Sequence, residues 1–498
     1  MKESWLLTID QSTSGTKALV ITGGGRILSS SAMAHKQYYP SPGWVEHDAV
    51  EIYRNVLECA GEAVDKAGIG SEQLSAITLT NQRETALVWD RTTGEPLAPA
   101  IVWQCQRTSE ACEQLKQAGH EPTVRARSGL LLDPYFSASK WRWLLDHAPC
   151  ARQKLARGEL LAGTIDSWLL WKLTGGAVHA TDYTNASRTS LYNIHTLQWD
   201  DELCGLFGVP RELLPEARPS DAVYGYTRGA APLADGIPIA GVIGDSQAAL
   251  FGHLCLEEGM AKATYGTGTS VLMNTGAKPA AASKELVQAI AWGQGGTVTY
   301  AAEAIIRTSG DSIKWIRDDI GLFDSFDELD ALLLQAPDNE GVYLVPAFVG
   351  LGAPYWQPNA RAAIIGMNRG TGKAHLARAA VESIAYQVKD AVDMLQEATG
   401  IALGELRVDG GASSNDILMQ FQADLLAINV IRAGAAELSA LGSAYMGGLA
   451  VGLWSSLEEL RLVAVQGAAF APDMHPDERA RHYAGWKHAV RAVIKSQA

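Results

Sequence analysis

Two stretches of this chain follow the same plan. "LLTIDQSTSGTKALVIT" (residues 6–22) and "GMAKATYGTGTSVLMNTG" (residues 259–276) each read as an apolar strand, a turn of small hydroxylic residues and a second apolar strand. A chain of 498 residues is too long for one hydrophobic core. The repeated hairpin therefore predicts two related halves joined near residue 250, a first domain over 1–250 and a second over 251–498.

Strands alternate with helices, which predicts an α/β fold. "WLLTIDQSTSGTKALVITGGGRILSSSAMAH" reads as three strands separated by a polar turn and a Gly-rich turn. A helix pattern follows in "HDAVEIYRNVLECAGEAVDKAG", with Asp48 as its N-cap. "LSAITLTNQRETALVWD" reads as a strand with a polar end, and "APAIVWQ" as another. "GIPIAGVIGDSQAALFGHL" is a strand, an acidic turn and a helix, and "ELRVDGGASSNDILMQFQADLL" a strand, a Gly-Gly turn and a helix. "LGSAYMGGLAVGLW" reads as a small-residue helix suited to close packing.

Three small-residue turns each follow an apolar strand: Asp10–Lys17, Gly266–Thr269 and Gly410–Asn415. Such turns present backbone N–H groups and hydroxyls, the groups that hold phosphate oxygens. None matches the P-loop or the dinucleotide fingerprint. Singly each is an ordinary turn, but together, with an Asp at a strand end, they point to a nucleotide phosphate site between two domains. Asp10 ends its strand as a candidate Mg²⁺ ligand, or as an Asx-turn cap. Asp245 follows "PIAGVIG" and starts a helix, as an N-cap or as a general base taking a proton from an attacking hydroxyl.

In "TNQRETALVWDRTTGEPLAPAIVWQCQRT" (residues 80–108), Arg83, Glu84 and Trp103 stand at the ends of apolar runs, and Tyr135 lies in "LLDPYFSASK". Read singly, Arg83–Glu84 is a surface ion pair and Trp103 plain core. Together they suit a small polyhydroxy ligand, with charged groups gripping hydroxyls and ring faces covering C–H edges.

The net charge of −14 argues against nucleic acid as the main partner. Six cysteines show no metal spacing and no disulfide framework, and no segment reads as a signal peptide or a membrane span. A cytoplasmic protein with reduced thiols is expected, and a homo-oligomer, dimer or tetramer.

At this point the residues resemble the glycerol kinases of the FGGY carbohydrate kinase family over essentially the whole length. The strings that carry the likeness include "PGWVEHDAVEIY", "TNQRET", "AIVWQCQRT", "PYFSASK", "GTIDSWLLWKLTGG", "VPAFVGLGAPYW", "ARAAVESIAYQ" and "RVDGGASSNDILMQFQADLL". The resemblance implies two actin-like, ribonuclease-H-like domains closing on a cleft, with MgATP mainly on the second half and a small polyol mainly on the first. It implies Asp10 at the metal and Asp245 as the general base. Thr13, Ser14 and Lys17 fall on the first phosphate loop, Gly266 and Thr267 on the second, and Gly310, Lys314, Gly411 and Asn415 at nucleotide contacts. Arg83, Glu84, Trp103 and Tyr135 fall at the polyol.

The departures from the family pattern are local. Ser246 stands where these kinases usually have a Gln that binds a glycerol hydroxyl, and Ser270 where they have a Phe that packs on the glycerol carbons. "DQSTSGTK" replaces a first loop that tends to carry Gly, Thr and Arg, and Lys314 replaces a Gln. Ser246 and Ser270 remove bulk from one pocket and keep it polar.

The expected activity is ATP-dependent phosphorylation of a terminal hydroxyl. Glycerol is the acceptor that the resemblance implies, and a four- or five-carbon polyol or ketose the one that Ser246 and Ser270 suggest. A non-catalytic actin-like sugar sensor would have lost Asp10 or Asp245, and both are present. A dehydrogenase would need a Gly-x-Gly-x-x-Gly turn after a strand.

Overall fold

The computed structural model describes residues 4–281, 286–465 and 467–496. Both predicted hairpins form, and each nucleates a sheet. In the first half, Trp5–Gln11 pairs antiparallel with Gly15–Thr22, which pairs antiparallel with Ile27–Ala34. On its other edge Trp5–Gln11 pairs parallel with Leu74–Asn81, and that strand pairs parallel with Pro238–Gly244. In the second half Met260–Tyr265 pairs antiparallel with Thr269–Gly276, which pairs antiparallel with Thr297–Ile306. Glu405–Asp409 and then Val430–Arg432 extend that sheet in parallel on the opposite side. Both sheets thus run three antiparallel strands continued by parallel ones, although in the second Val287–Gln294 precedes Thr297–Ile306 in the chain and pairs on its outer edge.

A third, five-stranded sheet grows out of the first half, in the order Gln37–Tyr38, Glu46–His47, Ala100–Ile101, Ala86–Asp90, Leu160–Thr164. It corrects one expectation. The run "LSAITLTNQRETALVWD" is not one strand with a polar end but two, Leu74–Asn81 in the first sheet and Ala86–Asp90 in the third. Arg83 and Glu84 lie in the crossover, where Glu84 takes a left-handed backbone with φ of 60°.

The helix Ala49–Ala67 starts as read, with Asp48 accepting hydrogen bonds from the backbone N–H of Val50 and Glu51, and ends at Gly68 in the left-handed conformation. The small-residue helix Leu438–Ala450 packs against the helix Asp245–Gly252 and the first sheet, although it comes from the end of the chain. Its Ala440, Leu441, Ala444 and Tyr445 share a core with Leu6, Leu19, Ile21, Ala76 and Ile243 of the first sheet. Among the described residues no helix is long and apolar enough to cross a membrane.

Candidate active site

A cleft of about 790 Å³ opens between the two main sheets. Ten of the residues singled out from the sequence line it: Thr13, Arg83, Glu84, Trp103, Tyr135, Asp245, Ser246, Gly266, Thr267 and Ser270. They come from separate parts of the fold. Thr13 sits in the turn of the first hairpin, and Gly266 and Thr267 in that of the second. Arg83 and Glu84 come from the crossover between sheets, and Trp103 follows the short strand Ala100–Ile101. Asp245 is the first residue of its helix, and Gly244 takes the capping position.

The inner wall is a buried charge cluster. Arg83 Nε lies 3.1 Å from Asp245 Oδ1, its Nη2 lies 3.4 Å from Glu303 Oε1, and its Nη1 donates to Gln247 Oε1 at 3.2 Å. Arg188 Nε donates to Glu84 Oε1 at 2.5 Å, and Arg188 Nη1 lies 2.7 Å from Glu303 Oε2. Two arginines and two glutamates therefore balance one another out of contact with bulk water. Burial alone pushes the Glu303 carboxyl up, but Arg188 and Arg83 outweigh it and hold the group down at about 2. It is a permanent acceptor, and Ser270 Oγ donates to it at 3.2 Å.

The outer wall is aromatic. The rings of Trp103 and Tyr135 meet edge to face with centroids 5.4 Å apart. Trp103 Nε1 donates to Thr13 Oγ1 at 2.9 Å, which ties this wall to the first hydroxylic turn. The Tyr135 loop is held from below by buried Lys140, which donates to the carbonyls of Pro134, Tyr135 and Phe136 at 2.7, 2.6 and 3.0 Å. Burial pushes the Tyr135 hydroxyl far above its ordinary range, so it stays a neutral donor.

Asp245 faces the cleft with 37% of its side chain exposed. Its Oδ1 accepts from the Ser246 N–H at 2.7 Å. Burial, together with the nearby carboxylates of Asp245 and Glu437, pushes the Asp10 carboxyl up to about 7. Asp10 does not itself line the cleft, but its carboxyl lies near enough to Asp245 to feel its charge, and carboxylate oxygens so placed are the hard donors a divalent cation takes, so Asp10 fits a Mg²⁺ ion.

The second hairpin turn is tightly built. A Cβ on Gly268 would lie 2.4 Å from the Ile306 carbonyl, and one on Gly310 would lie 2.6 Å from the Gly266 carbonyl. The backbone N–H groups of Ser309 and Gly310 donate to Thr267 and Gly266 at 2.8 and 3.0 Å. Gly310 thus braces the turn from behind.

The remaining sequence candidates do not line the cleft. Ser14 is exposed in the first turn. Lys17 stands not in the turn but in the strand Gly15–Thr22, opposite Asp10, and its ammonium is held by Glu437 at 2.8 Å. Lys314 is exposed on the helix Gly310–Asp318. Gly411 begins a short turn after Asp409. Asn415 caps the helix Asp416–Leu426, and its amide donates to Asp330 at 2.7 Å.

Several lining residues were missed from the sequence: Glu303, Lys262, Asp409 and Arg307, with Arg188 and Gln247 behind them. A Glu inside "TVTYAAEAII" was the one available signal, since an unpaired carboxylate does not belong in an apolar strand. Arg188, in "NASRTS", gives no such signal because the sequence does not show that it is buried.

The profile of the FGGY family of carbohydrate kinases, N-terminal domain, matches residues 5–252, and that of the C-terminal domain matches residues 261–451. The chain belongs to the FGGY family of carbohydrate kinases. It is 49% identical to a glycerol kinase of Xanthomonas campestris pv. campestris over 494 residues, 99% of each chain. It is 50% identical to a glycerol kinase of Shewanella oneidensis over 490 residues, 98% of this chain and 99% of that one. Its fold is similar to the crystal structure of Plasmodium falciparum glycerol kinase with ADP, with a TM-score of 0.94 and 36% identity, covering 99% of this chain and 98% of that one. As an FGGY kinase the chain is a two-domain, actin-like ATP-dependent phosphotransferase.

Proposed function

We propose that this FGGY kinase phosphorylates a terminal hydroxyl of a small polyol, with glycerol, converted to glycerol 3-phosphate, as the acceptor. The observation that carries the reading is the ion pair of Arg83 Nε with Asp245 Oδ1 at 3.1 Å, which holds a partly exposed carboxylate in the cleft that Trp103 and Tyr135 also line. Arg83, Glu84 and Tyr135 are set to hold the hydroxyls and Trp103 to cover the carbons. Asp245 takes the proton as the acceptor O–H bond breaks, the acceptor oxygen bonds to the γ-phosphorus of ATP, and ADP leaves. The turns at Thr13–Ser14 and Gly266–Thr267 are the proposed phosphate contacts, with Lys17, Gly310, Lys314, Gly411 and Asn415 toward the rest of the nucleotide. Asp10 would hold Mg²⁺, which when bound neutralises charge on the phosphates. Domains over 1–250 and 251–498, a homo-oligomer and a cytoplasmic location complete the proposal.

A second acceptor class rests on a specific observation. Ser246 and Ser270 both line the cleft, and Ser270 already points its hydroxyl at Glu303. That corner is polar and suits another hydroxymethine unit of a four- or five-carbon polyol or ketose.

A coupled ADP-release assay over glycerol, longer polyols, ketoses and aldoses tests both. Mg²⁺-dependent turnover that EDTA abolishes, with glycerol the best acceptor, is the expected result. ADP release that no acceptor on the panel stimulates would remove the function.

A further inference from the structure

The cleft holds one guanidinium that the proposed mechanism leaves unused. Arg307 follows directly on the strand Thr297–Ile306 and lines the cleft together with Glu303 and Ile305, four and two positions before it. Ile306 is in register with Thr269, which places Arg307 beside Gly268 in the second hydroxylic turn. The closeness is direct, since a Cβ on Gly268 would lie 3.1 Å from the Arg307 carbonyl. Residues Ser309 and Gly310 then bond back to Thr267 and Gly266, so the segment that carries Arg307 wraps the turn.

The Arg307 side chain is exposed and makes no ion pair among the described residues. Its Nη1 donates to the Val349 carbonyl at 3.2 Å, which anchors one edge of the fork and leaves the other donors open. The other cations near the cleft are committed. Arg83 is shared among Asp245, Glu303 and Gln247, Lys262 is buried and donates to Thr264 at 2.9 Å, and Lys17 is held by Glu437. Against them the lining carries four carboxylates, Glu84, Asp245, Glu303 and Asp409. A phosphoryl group entering this cleft meets a surplus of negative charge, and an open, planar set of donors beside the turn is what would offset it.

We propose that Arg307 binds the γ-phosphoryl group as it passes from the nucleotide to the acceptor hydroxyl. The proposal rests on the kinase reading above and adds to it the cation that stabilises charge on the transferring group.

Arg307→Gln and Arg307→Lys test it. The site is exposed, and unchanged thermal melting confirms that each variant folds. In Arg307→Gln, kcat/KM for ATP should fall at least about tenfold, with the KM for the acceptor within about threefold of wild type. Affinity for ADP with aluminium fluoride, Mg²⁺ and acceptor should fall at least about tenfold, while affinity for ADP alone changes by less than about threefold. Arg307→Lys should recover part of both losses. Unchanged turnover in Arg307→Gln, an equal loss of ADP affinity, or an effect confined to the acceptor KM would each overturn the assignment. A wild-type protein that transfers phosphate to no acceptor sinks the kinase reading itself. A wild type that transfers it, with Arg307→Gln unaltered, sinks only the role of Arg307.

Discussion

Asp245 joins two demands in one side chain. It must be ionised to accept a proton, and it must be aimed. Arg83 Nε at 3.1 Å and the Ser246 N–H at 2.7 Å both hold Oδ1, which fixes the carboxylate while 37% of it stays open to the cleft. Replacing it with Asn keeps the shape and removes the base, so Asp245→Asn should fold and bind nucleotide as wild type and lose on the order of 10²–10⁴-fold in turnover. Turnover within a few-fold of wild type would remove Asp245 from the chemistry. The same scale decides acceptor size. If Ser246 and Ser270 leave room that a Gln and a Phe fill in glycerol kinases, then Ser246→Gln with Ser270→Phe should raise preference for glycerol over a four- or five-carbon polyol. The apolar cover restored by one Phe is worth roughly 1–3 kcal/mol, about 5- to 150-fold in kcat/KM. Steady-state ratios of kcat/KM that do not move would show that neighbouring groups already close the pocket.

Secondary-structure elements were legible where their chemistry is local, and less so where it is not. The two hairpins, the Asp48 cap and the strand Pro238–Gly244 follow from alternating apolar runs and turn residues in the chain itself. The break at Arg83–Glu84 was missed because the polar run Thr80–Thr85 carries no Gly or Pro to mark a turn, and only the third sheet explains why the chain turns there. Likewise Glu303 and Arg188 became site residues only when distant elements met. The small-residue helix Leu438–Ala450 was read correctly as one built for close packing, and the structure shows the reason. A Cβ on Gly442 would lie 1.8 Å from the Ala248 carbonyl, in the backbone of the helix Asp245–Gly252 that carries the candidate base. Gly442→Ala should therefore destabilise the protein by roughly 1–3 kcal/mol or more, because one helix must back away from the other. Gly205 lies inside the helix Asp201–Phe207 with nothing within 4 Å of its Cβ position. Gly205→Ala should stabilise by roughly 0.5–1 kcal/mol, since it removes only backbone freedom. Chemical denaturation of both variants checks the pair, and equal effects of the same sign would contradict the packing account.

The whole molecule is bound together in a way that its two-part sequence does not announce. The repeated hairpins invite a cut near residue 250, and the strands of the first sheet all lie before it. Yet one face of that sheet is covered by residues from the far end of the chain. Leu6, Leu19, Ile21, Ala76 and Ile243 pack with Ala440, Leu441, Ala444, Tyr445 and Met446, and Lys17 pairs with Glu437 at the entry to the same helix. Each large apolar side chain left uncovered costs about 1.5–3 kcal/mol, so several of them together amount to the margin by which a domain of this size stays folded. A fragment of residues 1–250 should then be insoluble, or should melt well below the full chain without a sharp transition. A fragment in which residues 436–465 are joined to 1–250 through a flexible linker should recover a cooperative melt, because it returns the missing face. Circular dichroism melts of the two fragments beside the full chain measure this. If residues 1–250 alone unfold cooperatively at the temperature of the intact protein, the C-terminal helix is an accessory to the first half rather than part of its core.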